Sequence, residues 1–259
     1  MKILVLFYLK GSGKLNDIEL WHGDCLELMK DIPNKSIDMI LCDLPYGTTK
    51  CSWDTVIPFK PLWGQYNRII KDNGAIVLFG SEPFSSQLRL SNIDNYKYDW
   101  IWEKSKATGF LNAKKQPLRA YETISVFYKK PTIYNPQFHI STPYNKVMRK
   151  EQTTDDVYGK FNQVVVESTG IRYPRNVIYF KTAESEGKVY HKTQKPIVLL
   201  EYLIKTYTNE GETVLDNCMG SGSTGVACKN LNRKFIGIEL NYTYYEIAKN
   251  RINGVSESP

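Results

Sequence analysis

The chain is predicted to be an α/β protein built on a mostly parallel sheet, and three observations carry that prediction. The apolar run Ile37–Cys42 suits a strand buried on both faces; it ends on Asp43 and turns at Pro45 and Gly47. Thr213–Asp216 reads as a second such strand and opens into a glycine-rich loop from Asn217 to Gly225. Around these two, short apolar runs alternate with stretches at helical spacing, as in strand–helix units.

The elements follow in order. Asp17–His22 is a short strand that runs through Gly23-Asp24-Cys25 into a helix over Leu26–Ile32. Ser36–Cys42 is the next strand. A helix over Pro61–Lys71 has a proline suited to its first turn and ends at Gly74. Gly74–Gly80 is a buried strand and Glu82–Asn92 a helix. Aromatic and branched residues make Tyr98–Trp102 and Glu122–Tyr128 strands. The connection Lys104–Tyr121 is long and carries Lys104, Lys106, Lys114, Lys115 and Arg119, so it is either functional or disordered. From Pro131 to Val189 prolines, tyrosines and basic residues interleave with few apolar runs, which predicts an insertion with little core of its own. Regularity returns with a helix over Ile197–Tyr207, the strand Thr213–Asp216, a helix to about Leu231, the strand Lys234–Ile238 ending at Glu239, and a helix over Tyr242–Ile252. Residues 15–130 and 190–259 are therefore expected to be two halves of one domain, with 131–189 inserted between them.

Composition narrows the partners. The 259 residues are 42% hydrophobic, enough for one large core, and carry a formal charge of +7 with a pI near 9.0. Between Trp100 and Lys195 there are 17 Lys or Arg against 8 Asp or Glu, so the positive excess sits in the middle of the chain and predicts a polyanionic partner. The five cysteines are odd in number and lack zinc-knuckle spacing, which predicts a reducing, cytoplasmic setting and no metal. The apolar run Ile3–Leu9 falls far short of the roughly 20 residues of a membrane span. It is read as a tail or an extra strand, and Trp53 as an ordinary core residue, with closure of the pocket as the alternative.

Two loops carry chemistry. Asp43 supplies an acceptor, Pro45 directs the carbonyl of Leu44, and Tyr46 offers a flat face; together they suit a planar ring bearing an amino group. The same residues also fit a plain turn in which Asp43 caps backbone donors. The spacing Gly220-x-Gly222-x-x-Gly225, with Glu239 at the end of the next strand, fits a nucleoside whose ribose hydroxyls the acid accepts. That pattern suits a nicotinamide or flavin dinucleotide as well as S-adenosylmethionine. Asp216 separates them, because a carboxylate there suits an ammonium group and repels a pyrophosphate. Only about 20 residues follow Glu239, too few to complete a sheet, so strands must come from the first half, where Asp24 and Asp43 stand at strand ends.

In this order, Asp43-Leu44-Pro45-Tyr46, a basic middle segment, His191-Lys192-Thr193-Gln194-Lys195-Pro196 and Asp216 to Gly225, the chain resembles the beta group of DNA amino-methyltransferases, and most resembles adenine-specific members. The resemblance runs from about Ile18 to Ile252. It implies a Rossmann-like, seven-stranded S-adenosylmethionine-dependent methyltransferase sheet, circularly permuted, with residues 131–189 as an inserted target-recognition segment. The implied activity is methyl transfer from S-adenosylmethionine to N6 of a flipped-out adenine in DNA, within restriction-modification. N4 of cytosine is the alternative. The resemblance assigns Asp43, Leu44, Pro45 and Tyr46 to the target base. It assigns Asp24, His191, Lys192, Thr193, Lys195, Pro196, Asp216, Cys218, Gly220, Gly222, Thr224 and Glu239 to the donor. The family usually has two prolines where this chain has Leu44 and Pro45. Lys114, Lys115, Arg119, Arg172 and Arg175 are expected to meet DNA phosphates. A homodimer is an open alternative, and no metal or membrane is expected.

Overall fold

The computed structural model describes residues 18–48, 54–146 and 166–254, so Ile3–Leu9 and Trp53 lie outside the described residues. The chain forms two compact units, one made of residues 1–135 and 176–259 and the other of Pro136–Arg175. In chain order the first unit holds β1 (Ile18–His22), α1 (Cys25–Leu28), β2 (Ile37–Cys42), α2 (Phe59–Ile69), β3 (Ile70–Gly80), α3 (Phe84–Leu90), β4 (Tyr96–Thr108) and β5 (Arg119–Phe127). The second holds β6 (His139–Ile140), β7 (Tyr144–Lys146), β8 (Val166–Ser168) and β9 (Ile171–Arg172). The first unit resumes with β10 (Val177–Phe180), α4 (Ile197–Tyr207), β11 (Thr213–Asp216), α5 (Ser223–Asn230), β12 (Lys234–Glu239) and α6 (Tyr242–Asn253).

An eight-stranded sheet organises the first unit in the order β1-β12-β11-β2-β3-β5-β4-β10. Strands β1, β12, β11, β2 and β3 run parallel to one another, β5 is antiparallel to both β3 and β4, and β10 runs parallel to β4. The two halves thus interleave: β11 and β12, from the end of the chain, lie between β1 and β2, from its beginning. Every residue of β2 is buried because both faces are covered. Met39 and Leu41 pack with Leu199 and Leu203 of α4, Ala227 of α5 and Tyr245 of α6. Ile40 and Cys42 pack on the other face with Leu62 and Tyr66 of α2 and Phe84 of α3. Each fully buried aliphatic side chain of this kind contributes about 1.5–3 kcal/mol.

The structure departs from the sequence reading in four places. The helix expected to end at Gly74 ends at Ile69, and β3 begins at once at Ile70; an irregular step in its pairing with β2, between Ile37 and Met39, absorbs the extra residues. The helix expected over Leu26–Ile32 is a single α-turn followed by a 3-10 turn over Met29–Asp31. The connection read over Lys104–Tyr121 is shorter: β4 continues to Thr108, β5 starts at Arg119, the two pair as a long hairpin, and residues 109–118 join them. Finally, Val177–Phe180 lies inside the stretch read as an insertion, yet it forms β10 because the edge of β4 accepts a parallel partner and buries Ile178. The seven strands implied by the resemblance are present, and β10 makes an eighth.

The second unit, by itself, is two short antiparallel pairings, β6 with β9 and β7 with β8. Phe138 meets the ring of Tyr173 edge-on at 4.9 Å. The Arg172 guanidinium lies 4.5 Å from the centre of the Tyr144 ring and donates to the carbonyl of Thr142 at 2.9 Å and to the hydroxyl of Ser168.

Candidate active site

The carboxyl ends of β1, β2, β11 and β12 open into one cavity of about 1120 Å³. Asp43, Leu44, Pro45 and Tyr46 line it together with Asp24, Asp216, Gly220 and Glu239, so the two loops singled out in the sequence share one space. That is where a parallel sheet presents ligand-binding groups.

Asp43 leaves the end of β2 and is held from two sides. The Tyr46 hydroxyl donates to Oδ1 at 2.6 Å, and the Lys195 ammonium donates to Oδ2. Lys195 also lies 3.4 Å from Glu122 Oε2, and Lys104 donates to Glu122 Oε1 at 3.2 Å. Lys195, at 8% side-chain exposure, and Glu122, at 17%, make this a largely dry network of two carboxylates and two ammonium groups. Burial raises the Asp43 carboxyl above its usual range, Lys195 pulls it back, and the like charge of Glu122 raises it again. Burial alone would also raise Glu122, but Lys195 and Lys104 hold it below the usual range. Burial favours a neutral Lys195, yet Asp43 and Glu122 keep its ammonium above the ordinary lysine range.

The other groups around Asp43 are fixed in turn. Burial and the neighbouring Asp43 push the Tyr46 phenol well up, so it stays a donor. Its ring is stacked on Phe84, with centroids 4.9 Å apart, and the residue lines the cavity. Leu44 is buried against the α2 and α3 side of the sheet. Asp54 accepts from the backbone N–H of Gly47 at 2.8 Å and of Thr48 at 3.0 Å, closing the loop beyond Tyr46.

The glycine loop shows a division of labour. Gly220, at φ +52°, has space where a side chain would stand, the nearest atom being His191 Cγ at 4.0 Å. A Cβ on Gly222 would meet Ala248 of α6 at 2.8 Å, and one on Gly225 would overlap Ile252 and Phe235. Gly222 and Gly225 thus serve the packing of α5 against α6, and Gly220 alone of the three faces open space. Glu239 accepts from the Gly220 N–H at 2.9 Å through Oε2 and from the Asn241 N–H at 2.8 Å through Oε1. Asp216 accepts from the Thr224 hydroxyl at 2.6 Å and the Cys218 N–H at 3.1 Å, and burial lifts its carboxyl to about 6. Thr224 therefore aims Asp216 from within the core. Asp24 caps α1, accepting from the Leu26 N–H at 2.8 Å. Three carboxylates around an open glycine suit a nucleoside ligand that carries positive charge.

The segment before α4 wraps the same cavity. His191 packs edge-on to Tyr244 at 4.4 Å, its Nδ1 accepts from the Thr193 N–H at 3.2 Å, and burial with the nearby Lys195 lowers its pKa, keeping the imidazole neutral. Lys192 is exposed and lines the cavity, whereas Pro196 is buried at the start of α4. Glu186 accepts from the first N–H groups of α4, those of Ile197 at 2.8 Å and Val198 at 3.1 Å. The Cys218 side chain meets Asn217 Nδ2 at 3.5 Å, and Asn217 Nδ2 lies 3.6 Å from Cys25 Sγ.

Of the residues expected at DNA, Lys114 and Lys115 are exposed at the tip of the β4–β5 hairpin, and Arg119 is exposed where β5 starts. Arg172 is engaged within the second unit, where Arg175 is exposed. Sequence reasoning missed Glu122, Lys104, Asp54 and Glu186. Glu122 and Lys104 left a trace, the first as the acidic residue that opens the strand expected over Glu122–Tyr128, the second as one of the basic residues of the connection before it. Lys195, expected with the donor, lines the cavity and bonds to Asp43. Among the described residues no group of three or more His, Cys, Asp or Glu is placed to hold a metal, and no helix is long and apolar enough to cross a membrane.

A protein-family model described as DNA methylase matches residues 37–250. "Type II methyltransferase M.HpaI" of Haemophilus parainfluenzae is 27% identical over 251 residues, covering 92% of this chain and 74% of that protein. "DNA adenine methyltransferase YhdJ" of Escherichia coli K12 is 29% identical over 254 residues, covering 91% and 82%. The solved M1.HpyAVI–SAM complex superposes with a TM-score of 0.64 at 28% identity, over 91% of this chain and 99% of that one. A PvuII cytosine-N4-specific DNA methyltransferase shares the fold at TM-score 0.65 and 18% identity, over 93% and 88%.

Proposed function

Since its residues 37–250 match that model, the chain belongs to the DNA methylase family, and we propose that it transfers a methyl group from S-adenosylmethionine to N6 of an adenine turned out of duplex DNA. One observation carries the reading: the Asp43 carboxylate, held by Tyr46 and Lys195, faces the same cavity as Gly220 and Glu239. The adenine target is supported by the relative named as a DNA adenine methyltransferase and by Asp43 at the first motif position. The complex with S-adenosylmethionine of a similar solved protein supports the donor.

The chain's own residues account for the work. Asp216, Glu239 and Asp24 would hold the donor's ammonium, ribose and adenine around Gly220, and when bound the donor supplies an electrophilic methyl on sulfur. An exocyclic aromatic amine is a poor nucleophile because its lone pair is shared with the ring. Asp43 and the Leu44 carbonyl accept its two N–H groups, localise the pair and aim it. The amine must share Asp43 with Tyr46 and Lys195, whose ammonium favours the ionised carboxylate against burial. The proton lost with or after transfer passes to Asp43, raised above the usual range, and on to water. The Tyr46 ring stacks on the base. DNA is the partner and the cytoplasm the setting, in keeping with free thiols at Cys25, Cys42, Cys218 and Cys228.

The test is incubation with tritiated S-adenosylmethionine and unmodified genomic DNA, followed by digestion to nucleosides. Label in N6-methyladenine is expected; label in N4-methylcytosine, or none, overturns the proposal. Asp43→Ala should abolish transfer, by at least about a hundredfold, while calorimetry finds donor affinity little changed.

A further inference from the structure

We propose that Phe110 and Leu111, at the tip of the β4–β5 hairpin, form an apolar wedge that enters the DNA stack and occupies the gap left by the displaced base. The inference rests on the methyl-transfer reading and extends it to an element outside the motif loops. Phe110 is 76% exposed and Leu111 85%, side by side at the end of a projecting hairpin. Large apolar groups held in water at a protein's edge mark a surface that meets something else. The tip is also built to hold a shape: the N–H groups of Asn112, Ala113 and Lys115 bond to the carbonyls of Gly109, Phe110 and Asn112 at 2.9, 3.1 and 2.8 Å.

Charge selects the partner. From Lys104 to Tyr121 the chain has five Lys or Arg and no Asp or Glu, and Lys114, Lys115 and Arg119 of this set are exposed beside the wedge. A protein partner would match the apolar pair with apolar surface; cations flanking a bare aromatic–aliphatic pair match phosphates on either side of a base step. Position completes the argument. Thr108, Gly109 and Phe110 line the cavity that contains Asp43, so the tip stands at the mouth through which the base must pass. An apolar side chain filling the vacated step restores part of the lost stacking and slows return of the base.

The test uses duplexes carrying the recognition sequence mapped in cells expressing the chain, with the target adenine either paired or opposite an abasic position. F110A/L111A should lower methyl transfer to the paired duplex about tenfold or more, yet come within about threefold of the unaltered protein when the adenine is already unpaired. K114A/K115A, a phosphate-contact control, should lose rate on both duplexes alike and reduce the salt dependence of binding. Equal loss by F110A/L111A on both duplexes, or no loss on either, would overturn the wedge while leaving methyl transfer intact. Absence of transfer by the unaltered protein to any DNA would overturn the wedge and the parent reading together.

Discussion

Asp43 illustrates how one residue's chemistry is set by neighbours that its own segment does not contain. Tyr46 comes from the same turn, but Lys195 lies 152 residues away in sequence. Removing Lys195 leaves Asp43 and Glu122 with Lys104 as the remaining cation of the network. Loss of one partner from a buried ion pair costs roughly 3–5 kcal/mol at neutral pH, so Lys195→Met should unfold at lower urea concentration. Its pH profile tells more. Asp43 must be ionised to accept the amine, so activity falls as pH drops through its pKa. Lys195 lowers that pKa against the rise caused by burial. The acidic limb of kcat/KM in Lys195→Met should therefore move to higher pH, read on single turnovers; a limb that stays in place would leave Lys195 a packing role only. Linkage runs in opposite directions for the two carboxylates. Glu122, held low, adds stability that is lost as pH falls through its depressed pKa; Asp43, held high, costs stability at neutral pH that is recovered as pH falls.

At the scale of elements, the glycine loop and α5 separate two functions that the spacing alone merges. Gly225→Ala would drive a methyl into Ile252 and Phe235, and overpacking of that kind costs typically about 1–3 kcal/mol. Gly220→Ala meets open space and bears mainly its positive φ, roughly 1–2 kcal/mol, but it places a methyl where the donor would lie. The expected pattern is a crossed one. Gly220→Ala loses donor affinity by calorimetry out of proportion to its thermal shift, and Gly225→Ala loses thermal stability out of proportion to its affinity. Equal affinity losses would show that both glycines face the ligand. The spacing was legible in the sequence, but which glycine serves packing was not, because that depends on where α6 comes to rest.

Across the first unit, the cavity exists because β11 and β12 lie between β1 and β2. A donor bound there touches both ends of the chain and stabilises them as one body. At a donor concentration a hundred times its Kd, folding stability should rise by about 2.7 kcal/mol. Hydrogen exchange should show protection arising together at Leu26 and Glu27, capped by Asp24, and at Gly220, bonded to Glu239. Protection confined to one of these segments would contradict a shared site.

The sequence by itself determined the α/β class, the strands carrying Asp43, Asp216 and Glu239, the helices of the second half, and the two loops whose chemistry names the family. These signals are local: apolar period, turn residues and motif spacing act over a few residues. Tertiary structure alone decided that Lys195 serves Asp43, that Glu122 and Lys104 complete the network, that Val177–Phe180 joins the sheet, and that Lys104–Tyr121 becomes a hairpin with an apolar tip. Each of these rests on pairing between segments far apart in the chain, where burial and the dielectric around a charge are set by packing that no local window contains.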